Sequence, residues 1–177
     1  MTRYTVTVFD RYRLTIPLFG GSDSASRNVN VAYDTSKLTL TNATIRGEVT
    51  VLSGIVMGHF RLYVDGNEVW HEQWFLIGGT RTAVKDVTDL INMPKVYNFR
   101  IAAQDIGSNT VDVTVYLDLE FAELEPGAMP SIDPYPAQHT GSLLVGIGDA
   151  LQLVMYLLPA LIITIVVATV LSMIRGR

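Results

Sequence analysis

The sequence contains no cysteine. That excludes disulfide staples, thiolate zinc sites, iron–sulfur clusters, cysteine nucleophiles and type 1 copper sites, and it leaves the redox compartment unmarked. Histidine is scarce: His59, His71 and His139 are the only three, and no HxH or HExxH spacing joins them. His71 with Glu72 makes a poor chelate, because neighbouring strand residues point to opposite faces. No metal or other cofactor is expected. No GxSxG or comparable nucleophile signature is present, so the chain does not read as an enzyme. Positive charge is also short. Thirteen Lys+Arg against seventeen Asp+Glu give a net charge of −4, which argues against an electrostatic nucleic-acid clamp and any specific nucleic-acid recognition. Within that small cationic set Arg outnumbers Lys ten to three, a bias that suits bidentate ion pairs at protein interfaces. An apolar leader is missing as well: Met1 to Leu18 alternates like a strand and lacks the uninterrupted apolar run of a signal peptide. The sequence therefore predicts a domain made in the cytosol.

What the chain has in excess is apolar residues, 49% of the total, and they concentrate at the C-terminus. Between Asp149 and Arg175 run twenty-five uncharged residues, Ala150 to Ile174, of which fourteen are Leu, Ile or Val. A helix of that length measures about 37 Å, enough to cross a ~30 Å hydrocarbon core with some tilt. At roughly −0.3 to −0.6 kcal/mol for each of those fourteen residues, insertion is favoured by several kcal/mol, reduced but not cancelled by Gln152 and Pro159. The expected transmembrane helix, with an interfacial lead-in capped by Ser142, covers 142–174. Pro159 should kink it, because proline cannot donate to residue 155. Ala160, Thr164, Ala168 and Ser172 recur every four residues, with Gly146 and Ala150 further up the same face. A small-residue stripe of this kind lets helices approach closely in lipid. Arg175 and Arg177, in the basic tail 175–177, would anchor the end at the headgroups.

Ahead of the span, residues 125–141 hold four of the seven prolines, Pro126, Pro130, Pro134 and Pro136. The composition predicts a semi-rigid, extended stalk of about 40–50 Å at ~3.1 Å per residue. Residues 1–124 read as strands almost throughout. In Thr110 to Ala122 the residues Val111, Val113, Val115, Leu117, Leu119 and Phe121 alternate with polar neighbours, which puts one face in a core and the other in water. Similar alternation marks Val96–Ala103 and His59–Asp65; the latter turns at Asp65-Gly66-Asn67 into Glu68–Ile77. Tyr4–Val8, Tyr12–Leu18, Val29–Tyr33 and Thr44–Leu52 complete about eight strands. Short strands, Gly/Asn/Asp turns and no long amphipathic helix before residue 142 predict an all-β antiparallel sandwich or barrel. Asp86 should cap a single turn, with Asp89 three residues on.

The succession Leu62-Tyr63-Val64-Asp65-Gly66, Asp86-Val87-Thr88-Asp89-Leu90 and Phe99-Arg100-Ile101 resembles that of galactose-binding-like jelly-roll sandwiches over residues 59–121. The resemblance implies the jelly-roll fold and transfers no sugar-contacting residue. Trp70 and Trp74 share a strand face with Glu72 between them, and Tyr63 lies across the hairpin. Two aromatics beside a carboxylate can stack on a glycan; the alternatives are a subunit interface or the core.

A jelly roll, a stalk and a spanning helix together resemble the architecture of membrane-anchored minor capsid or vertex proteins of icosahedral viruses with an internal membrane, such as those infecting archaea or bacteria. The resemblance implies a virion location and a penton-type subunit tying the shell to lipid. Its implied partners are the bilayer, copies of the chain itself as in a pentamer, and other capsid proteins. Two other readings stay open: a cell-surface carbohydrate-binding or adhesin module, and an accessory subunit of a cellular membrane complex or filament.

Overall fold

The computed structural model describes residues 1–17, 21–52, 57–75, 78–107 and 109–143. The chain divides into two compact units, Met1–Leu143 and Leu144–Arg177. The expected spanning helix, the stripe of Gly146, Ala150, Ala160, Thr164, Ala168 and Ser172, the Pro159 kink and the Arg175 and Arg177 anchors lie outside the described residues. Among the described residues no helix is long and apolar enough to cross a membrane.

The first unit contains ten strands: β1 (Thr2–Ile16), β2 (Gly21–Ala32), β3 (Leu38–Val51), β4 (Met57–Val64), β5 (Asn67–Phe75), β6 (Gly79–Asp86), β7 (Lys95–Asp105), β8 (Asn109–Glu123), β9 (Ser131–Pro134) and β10 (Gln138–Leu143). One sheet has the order β1-β8-β3-β6; the other runs β10-β2-β7-β4-β5, with β9 also on β2. Every described pairing is antiparallel. The pairs β1·β8, β2·β7, β3·β6 and β4·β5 make the first eight strands one long folded-back hairpin. The additional pairs β3·β8 and β4·β7 roll it into two facing sheets. That wrapping is a jelly roll.

The core follows from the alternation. All six inward residues of β8, from Val111 to Phe121, are buried, as are Phe60, Leu62 and Val64 of β4 and Tyr97, Phe99 and Ile101 of β7. The two expected strands Tyr4–Val8 and Tyr12–Leu18 are one strand, β1, whose register against β8 shifts between Thr7 and Phe9 and again between Phe9 and Tyr12. These bulges re-phase the strand so that Phe9 and Leu14 both point inward, with Arg11 at φ 45° beside them. At Asp86 the expected capped turn is present. The carboxylate accepts from Thr88 N and Thr88 Oγ1, and the following turn buries Val87 and Ile91.

The stalk expected over 125–141 is corrected by the strand pairing. Ser131–Pro134 pairs with Ala32–Val29, and Gln138–Leu143 continues along the same edge of β2 against Ser26–Ser22. Ser142 belongs to this ladder, opposite Asp23, and does not cap a helix. Proline is compatible with the arrangement because an edge strand has one side free of ladder bonds. Side chains tie the segment down as well. Arg27 Nε donates to Tyr135 O while its Nη1 donates to Val8 O at 2.8 Å, His139 Nε2 lies 3.2 Å from the buried Asp23 Oδ1, and Ser24 Oγ meets Thr140 Oγ1 at 2.9 Å.

Candidate functional site

The four residues singled out for glycan or interface contact do not form one surface. In β5 the inward face carries Trp70, Glu72 and Trp74, and the indole rings are only 2% and 4% exposed. Trp70 packs edge-on against Phe60 with ring centroids 5.0 Å apart, and it crosses the sandwich to lie over Gly47 of β3, where a Cβ would collide with the ring. Its Nε1 donates to Glu72 Oε1 at 2.8 Å. The carboxylate expected to bind a sugar is thus engaged by the indole beside it, and neither ring offers a free face. Tyr63 points to the opposite side. The register slips between Leu62/Trp70 and Tyr63/Glu68, and the Tyr63 ring lies outside, under the Arg100 guanidinium at 4.4 Å.

The second tryptophan belongs to a polar node inside the fold. Asp105, at the end of β7, is buried and accepts four hydrogen bonds: from Trp74 Nε1 at 2.8 Å, Asn109 Nδ2 at 2.9 Å, Gly107 N at 3.1 Å and Met57 N at 3.3 Å. A buried carboxylate is tolerable only when its lone pairs are satisfied in this way. The node ties the start of β4, the end of β5 and both sides of the β7–β8 connection to one group. Asp23 does the same for β1 and β2, accepting from Thr15 N at 2.7 Å and Ser24 N at 2.8 Å.

Two polar surfaces remain on the outside. On the larger sheet His59, Arg61 and Tyr63 of β4 face outward, since Phe60, Leu62 and Val64 face in. The β4–β5 hairpin sets His71 opposite Arg61. The two imidazoles stand edge to face at 5.6 Å, with Glu68 3.4 Å from Arg61 Nε and 3.6 Å from His71 Nδ1. Burial first, then the charges of Arg61 and His71, hold the His59 imidazole below its ordinary pKa, against a hydrogen bond to Gln104 and the charge of Glu68. Among the described residues no three His, Asp or Glu side chains are placed to hold a metal ion.

On the smaller sheet Asp118, 1% exposed, is gripped by Arg46 through both oxygens, by Arg3 Nη2 at 3.1 Å and by Thr5 Oγ1 at 2.6 Å. The Arg46 bond dominates and, with Thr5 and Arg3, lowers the carboxyl to about 2 despite its burial. Beside it Asp10, Arg11, Glu48, Thr114 and Tyr116 line an open polar depression of about 390 Å³. Asp105, Asp23, Asp118, Arg46 and Arg27 were not foreseen. Each is bonded to residues distant in sequence, and only the two His and Arg61 could have been brought together beforehand, by continuing the β4 alternation through the Asp65-Gly66 turn.

Neither a protein-family model nor a curated protein matches the chain. Among solved structures the chain is similar to dimeric latent PorU from Porphyromonas gingivalis, at 11% identity and a TM-score of 0.39 over 70% of this chain and 13% of that one. It is similar to the CBM36-1 domain of a multidomain xylanase from the hindgut metagenome of Trinervitermes trinervoides, at 14% identity and a TM-score of 0.32 over 67% of this chain and 97% of that one. A third similarity is to the infectious bursal disease virus VP2 subviral particle, at 12% identity and a TM-score of 0.30 over 88% of this chain and 48% of that one. The chain thus spans about an eighth of the PorU chain and about half of the VP2 chain. Likenesses at this level carry no functional argument.

Proposed function

We propose that the protein is a membrane-anchored structural subunit, a minor capsid or vertex component that ties a protein shell to an internal lipid membrane. The observation that supports this reading is a complete eight-strand jelly roll in the same chain as a twenty-five-residue uncharged run. The sandwich supplies polar faces for neighbouring subunits, one centred on Arg61, His59 and His71 and the other on Arg3, Asp118 and Arg46. The apolar run supplies the anchor, and its small-residue stripe supplies contacts between copies in lipid. Carbohydrate binding through Trp70 and Trp74 is not carried forward, because both rings are buried.

The test is the mass of the full chain solubilised in mild detergent, by light scattering with the detergent contribution subtracted. The reading expects a closed ring, a pentamer for a vertex subunit. A monomer at every concentration would remove self-assembly, and with it the vertex role.

A further inference from the structure

Strand register places nine strand ends together. Ile16 pairs with Asn109, Gly21 with Asp105, Asp105 with Gly58, Met57 with Phe75, and Val51 with both Val111 and Gly79. The ends of β1, β3, β5 and β7 and the starts of β2, β4, β6 and β8 therefore all lie at one end of the jelly roll. The sequences between them, Pro17-Leu18-Phe19-Gly20, Leu52-Ser53-Gly54-Ile55-Val56, Leu76-Ile77-Gly78 and Ile106-Gly107-Ser108, contain no charged residue. Surface connections normally carry polar turn residues, and a gathered apolar set marks an interaction surface. The described members already show it: Leu52 is 50% and Phe75 62% exposed, with Pro17, Met57 and Ile106 half-buried beside them. The opposite end also exposes apolar side chains, Met93, Leu124 and Met129, but sets them among Asp34, Lys37, Asp65, Asp89 and Glu125.

The ninth strand end lies there too. Leu143 pairs with Ser22, so the chain leaves the sandwich beside Gly21, at that same end. Only Leu144 to Asp149 then precede the uncharged run Ala150–Ile174. We infer that the end of the jelly roll bearing Leu52 and Phe75 rests on the lipid bilayer, with these two side chains in the headgroup and upper acyl region. A charge there would be costly, whereas Leu and Phe are suited to shallow insertion. The inference deepens the anchor reading and rests on it.

The absence of cysteine gives a direct test on the full chain. Leu52→Cys and Phe75→Cys probe the uncharged end; Ser36→Cys and Met129→Cys, also exposed, probe the other. Each single-cysteine chain is labelled with an environment-sensitive fluorophore, reconstituted in phosphatidylcholine vesicles and titrated with nitroxide-bearing lipids. The expected result is a blue shift and loss of emission at 52 and 75 and neither at 36 and 129. Water-like emission at 52 and 75, or equal quenching at all four sites, overturns the inference. Flotation of the same vesicles after alkaline carbonate extraction reports on the anchor separately. A chain that floats with unquenched labels keeps the anchor and loses the docked end; a chain that is extracted, yet was quenched only at 52 and 75 beforehand, loses the anchor and keeps the docked end.

Discussion

Trp74 Nε1 donates to Asp105 Oδ2 at 2.8 Å, a hydrogen bond between two buried groups thirty-one residues apart in the sequence. It joins the end of β5 to the end of β7, at the uncharged end of the sandwich. The same carboxylate holds Met57, Gly107 and Asn109, so one side chain fixes the frame from which three of the four apolar connections leave.

Removing that carboxylate leaves several buried donors without an acceptor. Asp105→Ala is expected to lower the unfolding free energy by about 3–5 kcal/mol, and Asp105→Asn, which keeps one acceptor oxygen, by less. Urea unfolding in detergent, followed by the fluorescence of the two buried tryptophans, measures both. Equal stability of Asp105→Ala and the parent chain would contradict the node.

Gly47 is required because the Trp70 ring occupies the space of a Cβ. Gly47→Ala should cost about 1–3 kcal/mol through overpacking. Trp70→Phe shortens the ring and should recover part of that loss in the double variant, so a double-mutant cycle should give clear non-additivity. Simple additivity of the two changes would show that they do not share the space.

Asp118 carries the pH dependence of the smaller sheet. Its carboxyl sits at about 2 because Arg46, Thr5 and Arg3 stabilise the charged form, whereas in the unfolded chain it titrates near 3.9. The stabilisation is therefore complete above about pH 5 and is lost as pH falls toward 2. Because Arg3 and Arg46 are about half exposed, the contribution is about 1–2 kcal/mol. Asp118→Asn should be less stable than the parent at pH 7 by that amount, and the difference should shrink as pH falls from 5 to 2 and close below pH 2. A gap that stays constant across this range would assign the effect to packing and not to charge.

Arg27 binds the β9–β10 segment to the sandwich through Tyr135 O and Val8 O. Arg27→Met should speed amide hydrogen exchange across residues 131–140 while leaving the centres of β7 and β8 protected. Unchanged exchange in 131–140 would mean that the backbone ladder to β2 holds the segment alone.

These relationships separate what was legible in the chain from what was not. The alternation in β4, β7 and β8 was readable because each strand has one apolar and one polar face. The first half of β2, Gly21 to Asn28, was not: its inward positions are Gly21, Asp23 and Ala25, and the apolar period is missing because Asp23 serves as a hydrogen-bond acceptor there. Edge strand β6 showed no period either, since most of its residues stay exposed. In β5 the shared face of Trp70, Glu72 and Trp74 was evident, but the pattern Trp-Glu-Trp does not say which side is the core.

Composition and a period of two were enough for the all-β sandwich, its core strands, the absence of thiol chemistry and an uncharged C-terminal run long enough for a bilayer. That the tryptophans turn inward, that the proline-rich segment pairs with β2, and that Leu52 and Phe75 lie at the same end as Leu143 came from the fold alone. Those outcomes depend on which strands pair and in what register. Pairing is decided by contacts between residues far apart in the chain, where no local pattern records it.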